Sequence, residues 1–90
     1  MSYRIEFSPE AEEHLAFLTA REKALVLDEV ARQLFHRPTA QARNRKRMRA
    51  NPLAPWELRI GDYRVYYDVE SHPAPLVLVR AVGVKEHNQL

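Results

Sequence analysis

Cysteine is absent from these 90 residues. Its absence excludes a disulfide framework, thiolate chemistry and a cysteine-built zinc site. Glycine occurs only twice, too rarely for a glycine-rich phosphate loop or a nucleophile elbow. No stretch approaches the roughly 20 apolar residues of a membrane span. The opening MSYRIEF lacks the apolar run of a secretory signal. The four histidines show no HxxxH spacing and no carboxylate cluster stands with them, so neither a metal nor a cofactor is expected. Internal repeats and low-complexity tracts are missing too. The expectation is a cytoplasmic protein with no membrane partner.

What is present is one domain's worth of chain, 1–90. A chain of this size buries roughly 60–65% of its unfolded surface, so it folds alone with a modest margin. The formal net charge of +2 hides an asymmetry. Residues 1–36 hold four basic and seven acidic side chains, whereas residues 37–90 hold ten basic and five acidic ones. A polyanion would be met by the second half.

Tyr3, Ile5 and Phe7 alternate with Arg4 and Glu6, which predicts a half-buried strand over 2–7. Ser8 followed by Pro9 starts a helix, because serine caps and proline suits the first helical position. That helix runs to about Leu18. Thr19 and Glu22 have capping-box spacing and start a second helix. Its apolar residues are Ala24, Leu27, Val30, Ala31 and Leu34, and Pro38 bars it from passing His36. Residues 37–55 read as irregular and basic. Trp56, Leu58 and Ile60 then alternate as a strand, Gly61-Asp62 suits a tight turn with glycine at positive φ, and Tyr63, Val65, Tyr67 and Val69 continue the apolar face. After the loop SHPAP, the run LVLVRAVGV over 76–84 reads as a strand covered on most of both faces. The order is β-α-α-β-β-β. The fold class is α+β: a small, mostly antiparallel sheet with a helical hairpin packed on one face.

Counting back from the turn pairs Ile60 with Tyr63, Arg59 with Arg64, Leu58 with Val65, Glu57 with Tyr66 and Trp56 with Tyr67. Paired residues share a face. One face is apolar; the other carries Arg59, Arg64, Glu57, Tyr66 and Asp68. Like charges directly opposite are destabilising, so the two arginines need a reason. One reading is a solvated face on which Glu57 and Asp68 neutralise them, an arrangement worth roughly 0–1 kcal/mol. The other is an anion site, since arginine's fork of donors suits phosphate and a nearby tyrosine can stack on a base. The run RNRKRMR over 43–49 strengthens the second reading: Arg43, Arg45, Lys46, Arg47 and Arg49 lead toward the strand that bears Arg59, and a basic rim beside such a centre is a nucleic-acid footprint. Lys85 and His87 are two apart in VKEHNQL and share a face if the last strand continues. Histidine exchanges protons near neutral pH.

The stretches YRIEFSPEAEEHL, LAPWELRIGDYRVYYDV and VRAVGVKEHNQL, with the helical hairpin between the first two, resemble the RelE/ParE superfamily of bacterial type II toxins. Its most specific signal is a strand, Gly-x, Tyr-Arg-Val-x-Tyr, and then an apolar strand ending Val-Gly-x-Lys/Arg. The resemblance covers essentially all of the chain. It implies a metal-independent endoribonuclease that cuts mRNA in the ribosomal A site, where a 2′-hydroxyl attacks the neighbouring phosphate to leave a 2′,3′-cyclic phosphate. It places Arg64 and Lys85 at family positions and aligns His87 with a late histidine of some subfamilies. Arg59 and the basic run would hold RNA. The late tyrosine used by RelE itself would fall past Leu90, and Glu57 stands at or near one of RelE's lysines. Proton transfer is therefore expected from His87 and Glu57. A cognate antitoxin is implied, with an extended segment over the basic groove, carboxylates on Arg59 and Arg64, and a helix on the helical hairpin, all within a hetero-oligomeric complex. The ParE-like alternative inhibits DNA gyrase; a third is an inactive binding module of the same fold.

Overall fold

A computed structural model describes residues 2–48 and 54–85. The elements are β1 (Arg4–Phe7), α1 (Pro9–Ala16), α2 (Ala20–Leu34), β2 (Arg45–Arg47), β3 (Trp56–Ile60), β4 (Tyr63–Glu70) and β5 (Leu76–Val84). Both helix starts follow from their capping residues. Ser8 Oγ accepts from the Ala11 amide at 3.1 Å with Pro9 beside it, and α1 ends at Ala16, two residues sooner than expected. Thr19 and Glu22 form the reciprocal box: the Glu22 amide donates to Thr19 Oγ1 at 3.1 Å, and the Thr19 amide to Glu22 Oε1 at 2.8 Å. The Tyr63 hydroxyl donates to the other Glu22 oxygen at 2.8 Å, which ties the start of α2 to the β3–β4 turn.

The sheet order is β1-β5-β4-β3-β2, with β1 parallel to β5 and every other pair antiparallel. The β3–β4 register is the one counted back from Gly61-Asp62, including Arg59 opposite Arg64. Gly61 has φ +57°, as that turn requires. Residues 37–55 are not irregular throughout. Arg45, Lys46 and Arg47 pair with Leu58, Glu57 and Trp56, so the order becomes β-α-α-β-β-β-β. No apolar alternation marks β2, because an edge strand of three basic residues carries no such signal.

The core lies between the helices and one sheet face. Val26, Val30 and Leu34 of α2 and Ala11 and Leu15 of α1 meet Trp56, Leu58, Ile60, Val65, Tyr67, Val77, Val79 and Val82. In α2, Val26 is buried where Ala24 was expected, and Ala24 and Ala31 are exposed; the larger side chain takes the inward position. Tyr67 is fully buried, stacks on Trp56 with ring centroids 6.2 Å apart, and donates to the Pro38 carbonyl at 2.6 Å. Burial pushes its pKa well above the usual tyrosine value.

The helices cover only one face of β5. Val77, Val79 and Val82 point toward them, while Leu76 and Leu78 are half-buried on the far side. A bulge explains the change of step from Val79 to Val82. Tyr67 pairs with Val79 and Tyr66 with Ala81, so Arg80 is the extra residue.

Candidate nucleic-acid interface

On the helix-free face, β3, β4 and the end of β5 form an open groove of about 280 Å³ lined by Glu57, Arg59, Arg64, Tyr66, Gly83, Val84 and Lys85. One row across the sheet is Arg59, Arg64, Gly83; the next is Lys46, Glu57, Tyr66, Ala81. Because Gly83 has no side chain, the floor beside Arg64 stays low, and a Cβ there would meet nothing within 4 Å. The Lys85 amide donates to the Asp62 carbonyl at 2.7 Å, which fixes the end of β5 against the β3–β4 turn.

Glu57 is only 6% exposed, although it lies on the face without helices. It accepts from Arg59 Nε at 3.3 Å. Tyr66 stands beside it. Burial first, then the Glu57 charge and a hydrogen bond to it, raise the Tyr66 pKa, with Arg64 and Arg59 pulling the other way. The phenol therefore keeps its proton at neutral pH. Arg64 Nη1 donates to the carbonyls of Gly61 at 2.9 Å and Tyr63 at 3.0 Å. Carbonyls orient the guanidinium but do not neutralise it. Asp68, one of the two carboxylates that the solvated-face reading required, pairs instead with Arg80 at 3.2 Å. Among the described residues, the groove thus presents Arg59, Arg64 and Lys85 around one carboxylate. That excess of cations is suited to an anion.

The basic run splits. Lys46 shares the face of Glu57 and Tyr66. Arg45 and Arg47 pair with Leu58 and Trp56 and so take the helix side, because neighbours in a strand point to opposite faces. Arg45 Nη1 donates to the carbonyls of Arg37 at 2.9 Å and Ala40 at 3.0 Å, so this guanidinium ties β2 to the segment after α2 rather than facing the groove. Arg43 is exposed in the turn before β2. Arg49 and His87 lie outside the described residues. Sequence reasoning missed Gly83 and Val84 as groove walls. The Val-Gly-x-Lys spacing held the signal, but the face taken by those residues depends on the Arg80 bulge, which no alternation pattern reveals.

A mixed five-stranded sheet with a helical hairpin on one face is the RelE-like α+β toxin fold. No protein-family model and no curated protein matches the sequence. Solved structures do match. The toxin–antitoxin complex RelBE2 from Mycobacterium tuberculosis aligns with TM-score 0.79 and 24% identity over 94% of this chain and 100% of that one. The archaeal RelE–RelB complex from Pyrococcus horikoshii OT3 aligns with TM-score 0.73 and 19% identity, covering 97% and 99%. The intact E. coli RelBE complex aligns with TM-score 0.62 and 20% identity, covering 96% and 100%.

Proposed function

We propose that this chain is the toxin of a type II toxin–antitoxin pair and acts in the cytoplasm as a metal-independent endoribonuclease on ribosome-bound mRNA. The groove supports this reading: among the described residues, Arg59, Arg64 and Lys85 surround a single carboxylate. The full-length likeness to RelE chains solved with their antitoxins supports the same reading. In the reaction the 2′-oxygen bonds to the adjacent phosphorus as the bond to the 5′-oxygen breaks. The products are a 2′,3′-cyclic phosphate and a 5′-hydroxyl end. Glu57 takes the 2′ proton, and His87 returns one to the departing oxygen. Arg64 and Lys85 offset the charge that builds on phosphorus. Tyr66 and Arg59 hold the neighbouring base and phosphate. The antitoxin silences the site with carboxylates placed on Arg59 and Arg64.

The test is expression from a tightly controlled promoter, with mRNA 5′ ends mapped on ribosomes. Codon-phased cuts are expected, and Arg64→Ala abolishes them. Growth arrest with intact mRNA, together with blocked supercoiling by purified gyrase, would assign the gyrase-inhibiting alternative. Harmless expression would assign a binding module.

A further inference from the structure

We propose that Ser8 and His14 are positioning residues that hold the β5 bulge in the register presenting Gly83 and Lys85 to the groove. In β5, Val77 and Val79 point to the helices. Strict alternation beyond Val79 would turn 81, 83 and 85 to the helix side as well. The extra residue, Arg80, reverses the step: Val82 points inward, and Gly83 lies opposite Arg64. Lys85, two residues further on, reaches the groove for the same reason. A one-residue slip would send each of these positions to the opposite face.

A bulge leaves backbone groups without ladder partners, and α1 supplies partners for two of them. Ser8 Oγ donates to the Arg80 carbonyl at 3.1 Å. The Val82 amide donates to His14 Nδ1 at 3.0 Å. Ser8 is itself joined to the strand, since its amide donates to the Val79 carbonyl at 2.9 Å. The same hydroxyl also caps α1. One short helix is thus fastened to the bulge on both sides of Ala81. His14 accepts through Nδ1, so its ring proton is on Nε2. The inference rests on the reading of the groove as a phosphodiester site, because its consequence is the placement of Lys85.

The experiment compares binding of a 2′-methoxy single-stranded RNA oligonucleotide, across a salt series, by wild type, His14→Ala, His14→Asn and Lys85→Ala. The Asn side-chain oxygen keeps an acceptor near the Nδ1 position. The expected result is that His14→Ala binds about three- to tenfold more weakly. Its slope of log affinity against log salt falls by about 0.7, the loss of one phosphate contact on a single strand. His14→Asn restores both, and Lys85→Ala reproduces the His14→Ala slope. Amide hydrogen exchange at Val82 rises in His14→Ala and returns in His14→Asn. If Lys85→Ala weakens binding while His14→Ala matches wild type in affinity, slope and Val82 exchange, the clamp is overturned and the groove stands. If Lys85→Ala binds like wild type, the groove reading itself falls, and the inference falls with it.

Discussion

Arg64 is held by two carbonyl oxygens of its own turn, at 2.9 and 3.0 Å. The guanidinium is oriented before any ligand arrives, and among the described residues no carboxylate forms a salt bridge with it. Because the side chain is half-exposed and bears none of the core, Arg64→Ala keeps its stability within about 0.5 kcal/mol of wild type. Its cleavage rate falls by about a hundredfold or more. Arg64→Lys recovers only part, because a point charge does not replace the fork. Thermal melting and cleavage assays on the same preparations separate the two effects. Gly83 gives the complementary case. A Cβ there meets open space, and β-branched residues favour strands. Gly83→Val therefore stays folded with an unchanged or raised Tm, yet loses RNA affinity because the groove is filled. A variant that unfolds, or one that binds RNA as wild type does, contradicts the placement of Gly83 on the groove floor.

Among the elements, the start of α2 and the segment after it are tied to the sheet by tyrosines. Tyr67→Phe deletes the donor to the buried Pro38 and leaves its carbonyl without a partner, at a cost of about 1–3 kcal/mol in urea unfolding. Leu34, fully buried at the end of α2, costs about 2–5 kcal/mol on truncation to alanine. The Glu22 carboxyl is held below its ordinary pKa of 4.5, first by the Thr19 amide and then by the Tyr63 hydroxyl. A depressed carboxylate stabilises the fold fully above its unfolded pKa and loses that contribution as pH falls through the folded one. Tm of the wild type therefore exceeds that of Glu22→Gln at pH 7, and the gap closes as pH falls below the ordinary value of 4.5 and through the lowered folded-state pKa. A gap that is constant with pH would mean that the box does not act through this charge.

Across the whole molecule, charge and architecture coincide. The net-negative first 36 residues include both helices, while the net-positive remainder includes the three strands of the groove. Much of this was legible in advance. Ser8, Thr19 and Glu22 mark the helix starts through local hydrogen bonding, and Gly61-Asp62 sets the register that brings Arg59 opposite Arg64. What was not legible depends on long-range contacts. β2 forms because β3 offers it an edge, Arg45 turns inward to reach the carbonyls of Arg37 and Ala40, and the Arg80 bulge needs α1 to satisfy it. The burial of Glu57 was hidden too, since a carboxylate in an alternating strand reads as solvent-facing until Arg59 and Tyr66 close over it.

The central claim is that the helix-free face grips and cuts a phosphodiester without a metal. The most direct measurement incubates the purified chain with programmed ribosomes in excess chelator and identifies the new mRNA ends. The account predicts 2′,3′-cyclic phosphate and 5′-hydroxyl termini from the wild type and almost none from Arg64→Ala or Gly83→Val. Cleavage that requires added divalent metal, or that proceeds equally well in Arg64→Ala, would contradict it.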